Sequence, residues 1–242
     1  MINKTNMNNP STKEIEEAYF SIISKGCHDI RNYVALINSE AQILEHRIPE
    51  LSNNPTFKMM TEDISQLTNL LSAISKYRYA GKIEKTSVSM KNIIQECVDE
   101  YTENHALSDT INTDCTSRLT RDNHTLSCRL PKTLPSIQGD YKKLKEAFSC
   151  LLDNAYEYSY ASSPILIIAK KRGNSVLIRI TNTGEPLSED LAANIFTPFY
   201  SGNSKHFGLG LSIAQKTIAA HGGNIHISCS DNITVTVTLP IC

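Results

Sequence analysis

Apolar residues recur every three or four positions from residue 15 to residue 48, at 15, 19, 22, 23, 30, 34, 37, 41, 44 and 48. At about 100° per residue they fall on one stripe roughly 100° wide, the signature of a long amphipathic helix. "STKE", directly after Pro10, has the spacing of a capping box and places the start of that helix near Ser11. A second stripe runs through 57, 60, 64, 67, 71 and 74 and stops at Gly81, with "LSNNP" as a short turn between the two. The pattern predicts an antiparallel helical hairpin over residues 11–82. A lone hairpin leaves both stripes half exposed, so a homodimer closing a four-helix bundle is expected. The polar stretch "MINKTNMNNP", residues 1–10, reads as a disordered tail.

From about residue 86 the period changes. "SMKNIIQECVDEY" and "DYKKLKEAFSCLLDNAYEYS" read as helices, the second capped by Asp140. "HTLSCRL", "PILIIAKK", "SVLIRIT", "NIHISCS" and "ITVTVTLPI" read as strands, with "KRGN" turning the middle pair. "LGLSIAQKTIAAHGG" is a helix closed by glycine. "HALSDTINTDCTSRLTRDN" reads as a loop or weak strand. Alternating helices and strands over residues 86–242 predict an α/β sandwich, and the whole chain an α+β protein.

Composition narrows the classes. The 242 residues carry a formal charge of −1, with no basic patch for nucleic acid and no polybasic membrane anchor. No apolar run approaches a bilayer span and the start lacks a signal-peptide core, so a cytoplasmic protein is expected. The seven cysteines form no CxxC pair and read as reduced, mostly buried thiols.

Four elements of the second half occur in a set order: Asn154 in "LLDNAYEYS", "NTGEPL" at 182–187, "IFTPFYSG" at 195–202, and "FGLGLSI" at 207–213. Taken alone, GLG is either a tight turn into a helix or bare amides offered to phosphate. The ordered set resembles the N, G1, F and G2 boxes of the sensor histidine kinase ATP-binding domain, of the Bergerat-type fold shared with gyrase and Hsp90. The hairpin carrying "HDIRN" is similar to that family's dimerisation and phosphoacceptor domain. The resemblance implies ATP and Mg²⁺, with Asn154 helping to hold the metal and Tyr158 either near the nucleotide or in the core. It implies Asn182 as acceptor for the adenine amino group, where an aspartate is usual; an amide oxygen can take the same bond. It also implies Gly184 against the base, and Gly208, Leu209 and Gly210 at the phosphates. Lys205 stands as a phosphate contact or a solvated residue, and Phe196 and Phe199 as packing.

The chain departs from the pattern at several places. Cys150 replaces an asparagine, Pro186 the second glycine of G1, and His206 the first glycine of G2. Glu157 takes the place of a basic residue one turn past Asn154, where a carboxylate opposing phosphate costs on the order of 1–4 kcal/mol. Pairing with a lysine such as Lys205 would relieve that cost.

On the helical wheel His28 lies roughly 180° from the centre of the first stripe, with Asn32 on its face. The resemblance makes His28 the phosphoacceptor and Asn32 the group orienting water in a phosphatase reaction. Asp29 is placed to hold the second ring nitrogen and act as base. Tyr33 replaces a usual proline, so a straighter helix is expected. Two readings stay open. One is a histidine kinase that phosphorylates His28, in cis or in trans, and passes the group to an aspartate of a response regulator. The other is a phosphotransfer or regulator-binding protein whose ATP domain has decayed. A gyrase- or Hsp90-like ATPase needs a glutamate where Cys150 stands.

Overall fold

A computed structural model describes residues 12–108, 111–112, 115–120, 124–202 and 206–241, with side chains left out for 12–21 and 103–123. Ser11, Lys205 and the 1–10 tail, for which the sequence raises expectations, lie outside the described residues. The chain divides between Ser75 and Lys76 into two compact units, each taken by itself here.

The first unit is a helical hairpin. Helix α1 (Thr12–Arg47) runs unbroken past Tyr33, in keeping with the missing proline. A 3₁₀ turn, Pro49–Asn53, leads to α2 (Pro55–Tyr79), whose last residues count in the second unit. The Asn54 side chain caps α2 by accepting from the Thr56 and Phe57 amides. The buried side chains are fewer than the stripes predict. Val34 and Ala41, with half-buried Cys27, pack among Phe57, Ile64 and Leu71, each series stepping by seven residues. Arg31 ties the helices through a 3.0 Å hydrogen bond from its Nη2 to the Leu71 carbonyl. A second heptad row, Ile23, Ile30, Ile37 and Leu44, stays exposed, as do Met60 and Leu67 on α2. Two helices alone can cover one row only, which is why the wide stripe resolves into a closed half and an open half.

The second unit is a two-layer sandwich, and the chain as a whole is α+β. Its strands are β1 (Thr86–Val88), β2 (Ala106–Ser108), β3 (Ile111–Asn112), β4 (Cys115–Thr120), β5 (Thr125–Arg129), β6 (Ile137–Gly139), β7 (Pro164–Arg172), β8 (Ser175–Asn182), β9 (Asn224–Cys229) and β10 (Ile233–Pro240). Its helices are α3 (Met90–His105), α4 (Tyr141–Glu157), the short α5 (Glu189–Asn194) and α6 (Gly210–Ala220). The main sheet runs β2-β4-β5-β7-β8-β10-β9, with β3 beside β4. Only β5 and β7 pair in parallel among the described strands, and α4 lies between them in sequence.

Alternation explains the layering. Val235, Val237 and Leu239 on β10, and Ile165, Ile167 and Ala169 on β7, share a buried face with Leu144, Phe148, Leu151 and Ala155 of α4. The intervening residues are partly or fully exposed. Asp140 caps α4, its Oδ1 accepting from the Lys143 amide at 3.2 Å. The small β1–β6 ribbon delivers the chain to that cap. Cys97 and Cys128 are buried and Cys150 is largely enclosed, whereas Cys229 is exposed. Burial pushes the Cys97 thiol up to about 11 and the Cys150 thiol up to about 12, so both stay protonated at neutral pH.

His221, in the "HGG" that ends α6, is a structural histidine. It is 3% exposed. Its Nδ1 donates to the Thr217 carbonyl at 2.7 Å, and its Nε2 accepts from the Asp140 amide at 2.8 Å. That pattern needs the neutral ring, and burial lowers its pKa accordingly. A histidine with a lowered folded pKa contributes stability that is fully present above its unfolded value, about 6.5, and lost as pH falls toward the folded one. Urea midpoints of the chain should therefore be flat above about pH 7 and decline below it. In His221→Gln the decline should shrink; an identical slope in both proteins would assign it to other groups.

Candidate functional site

The second-half motifs converge on the C-terminal turns of α4. Cys150, Asn154 and Glu157 are spaced four and three apart, which puts them on one helix face beside the buried one. Gly210, first residue of α6, abuts this face: a Cβ there would lie 3.8 Å from the Cys150 Cβ. The Asn154 side chain is half-buried and makes no hydrogen bond among the described residues.

Tyr158 is the hub of the site. As C-cap of α4 it donates its amide to the Asn154 carbonyl. Its hydroxyl is hydrogen-bonded with Ser201, and burial raises its pKa. Its carbonyl meets the G1 loop. Asn182, at the end of β8 and 3% exposed, sends Nδ2 toward that carbonyl at 3.5 Å. The contact assigns the amide nitrogen to the Tyr158 side and leaves Oδ1 as an acceptor, the role an aspartate would otherwise fill. Gly184 follows so close that a Cβ would stand 1.8 Å from the Tyr158 oxygen. No other residue type fits there without moving backbone.

The loop from α5 to α6 closes the assembly. Phe196 packs against the core, but Phe199 does not: it is 62% exposed, at φ 64°. The Phe199 amide donates to the Gly208 carbonyl at 3.0 Å. Gly208 has φ 64° and would clash with the Tyr200 carbonyl at 2.6 Å if it carried a Cβ. Tyr200 donates its hydroxyl to Asp190 on α5 at 2.6 Å. Leu209 is buried and anchors the start of α6. Glu157 meets His206 here, Oε1 to Nε2 2.9 Å. Its partner is thus the histidine that replaces a glycine. Nothing local in the sequence links the two.

Among the described residues no three acidic, histidine or cysteine side chains gather as a metal cluster. The groups present still suit Mg²⁺ shared with phosphates, since an unpartnered amide oxygen is a hard donor and Mg²⁺ takes few protein ligands.

His28, Asp29 and Asn32 belong to the hairpin unit. The His28 side chain is 69% exposed. Its Nδ1 lies 3.4 Å from Asp29 Oδ1 and 3.3 Å from Asn32 Nδ2. Both contacts use the same nitrogen, which leaves Nε2 open to solvent.

Known proteins resemble the chain along most of its length. The model of the histidine kinase-, DNA gyrase B- and HSP90-like ATPases matches residues 139–242. The sensor protein DltS of Streptococcus agalactiae is 26% identical over 232 residues, 90% of this chain and 53% of its own. The sensor histidine kinase ZraS of Escherichia coli is 25% identical over 217 residues, 88% of this chain and 44% of its own. Residues 139–242 are thus similar to the histidine kinase-type ATPase domain, and the chain as a whole is similar to sensor histidine kinases. Its GHKL-type domain is the one built around α4. The sensor protein VanSC of Enterococcus gallinarum, 26% identical, covers 95% of this chain and 63% of itself. The chain thus spans about half the length of the curated relatives it matches. Full-length ShkA, solved with AMPPNP, has the same fold, with TM-score 0.74 at 16% identity over 91% of this chain and 45% of that one. So does histidine kinase ThkA, solved with the response regulator TrrA, with TM-score 0.60 at 20% identity over 97% and 68%. No helix among the described residues is long and apolar enough to cross a membrane.

Proposed function

We propose that this chain is an ATP-dependent protein-histidine kinase that phosphorylates His28 and passes the phosphoryl group to an aspartate on a response regulator receiver domain. The observation that carries the reading is the arrangement at His28, an exposed ring with one nitrogen engaged and the other open. Nδ1–H donates to Asp29, which fixes the tautomer and leaves the Nε2 lone pair as nucleophile. Nδ1 cannot also accept from Asn32, so in this tautomer Asn32 turns its carbonyl toward the ring. Nε2 bonds to the γ-phosphorus as the bond to the bridging oxygen breaks, and ADP leaves with that electron pair. The proton on Nδ1 stays shared with Asp29, which acts as base.

In the second unit, Asn182 Oδ1 receives the adenine amino group, Gly184 admits the base, and Gly208, Leu209 and Gly210 bring α6 to the phosphates. Asn154 would hold Mg²⁺, which offsets phosphate charge when bound. Asn32 serves a reverse reaction, orienting water against the phosphorylated regulator. The Glu157–His206 pair argues against a decayed ATP domain, since the acid is not an unopposed charge. The test is incubation with Mg²⁺ and γ-labelled ATP, followed by measurement of acid-labile label on the protein.

The open heptad row supports a homodimer through the hairpin. Four apolar residues at three successive steps of seven are too regular for a solvated face. Ile37→Glu in the full chain would set a charge in that row without touching the closed one. Sedimentation at micromolar concentration should give twice the chain mass for wild type and the single mass for the variant. A wild-type monomer would refute the assembly.

A further inference from the structure

Glu157 and His206 each break the pattern that the rest of the site follows, and in the fold they break it together. One is an acid where a base is usual, the other a ring where a glycine is usual. Their side chains meet at 2.9 Å, Glu157 28% exposed and His206 54%. The histidine is delivered to this place by fixed neighbours. Two residues further on, Gly208 accepts from the Phe199 amide. Tyr200 is taken up by Asp190 of α5, and Ser201 by the Tyr158 hydroxyl at the end of α4. Glu157 of α4 is the charged group that meets the ring among the described residues.

An imidazolium has two N–H donors at fixed angles. Glu157 takes the one on Nε2. Nδ1 has no partner among the described residues. Glu157 sits one turn past Asn154, on the face where the phosphates are placed, so the remaining donor is offered at that end of the site. The pair is also close to neutral as a unit, which removes the repulsion a bare carboxylate would exert.

We infer that His206 is a nucleotide-binding residue of this chain, oriented through Nε2 by Glu157 and donating Nδ1–H to the terminal phosphates of ATP. The hydrogen-bond donor missing at position 157 is supplied from the opposite wall. This rests on the reading of the α4 site as the ATP site. Glu157 is a positioning residue, acting through the ring it holds.

The test is calorimetric titration of the full chain with ATP in excess Mg²⁺, and with adenosine. His206→Gln should weaken ATP about five- to tenfold and leave adenosine unchanged. His206→Lys should restore ATP affinity. Glu157→Gln should weaken ATP in wild type but cost little more in the His206→Gln background, since Glu157 acts through the ring; a role in packing alone would cost the same in both. ATP binding by His206→Gln that equals or exceeds wild type would overturn the inference, as would an equal loss with adenosine. Wild type binding neither compound would overturn the ATP-site reading and this inference together.

Discussion

His28→Gln should take acid-labile labelling from γ-labelled ATP to background. The ring is 69% exposed and its polar contacts are Asp29 and Asn32, both within one helical turn. Glutamine keeps a polar, helix-compatible side chain, and an exposed substitution of this kind changes stability within about ±0.5 kcal/mol. Loss of label would therefore report chemistry, because an amide has no lone pair able to displace ADP. Circular dichroism, sedimentation and the urea midpoint should match wild type. Undiminished labelling would put the nucleophile elsewhere, and His46, in the last turn of the same helix, is the next histidine to test.

Gly184→Ala should be nearly as severe by a different route. The added carbon would stand 1.8 Å from the Tyr158 carbonyl oxygen and 3.5 Å from Asn182 Nδ2. The obstacle is backbone, so relief requires pulling the G1 loop off the end of α4 or unwinding the turn that Tyr158 caps. Overpacking costs typically about 1–3 kcal/mol, and a backbone clash belongs at or beyond the top of that range. Either relief also swings Asn182 away from the place where, in the proposed site, its Oδ1 would face the base. We expect a lowered urea midpoint and at least a tenfold loss of affinity for both ATP and adenosine, since the damage is at the base end. An alanine variant with wild-type midpoint and wild-type ATP affinity would show that the loop has slack the structure does not suggest.

Much of this was legible in the sequence where the signal is local. The alternation along β7, β8 and β10, the Asp140 cap and the glycine that ends α6 each act within a few residues, and each lies where periodicity or capping chemistry places it. The ordered boxes are equally local, and the fold brings their residues together at the end of α4. Pairings between distant segments were not legible. β1 and β6 are three residues each and gain their identity only from each other. The segment at 106–120, read as loop or weak strand, forms β2, β3 and β4 through partners rather than through strong alternation. The first stripe was visible, but its division into a closed and an open heptad row depends on α2. His206 stands in the sequence only as a departure from the pattern, and His221 carries no local signal; only the chain returning to Glu157 and to Asp140 gives each a partner.

Helix α4 is held at both ends. Its first turn is fixed by the Asp140 cap and, through Asp140, by His221; its last is fixed by the G1 loop closing on Tyr158. Between these points the helix must present a buried face to the sheet and the Cys150–Asn154–Glu157 face to the proposed nucleotide site. Inserting or deleting one residue would turn everything beyond it by about 100° and shift it by about 1.5 Å. The site face would then point into the core or out to solvent, and no compensating substitution could rotate it back. Point changes such as Cys150 and Glu157 are therefore the variation this helix can absorb, while its length is closed to drift.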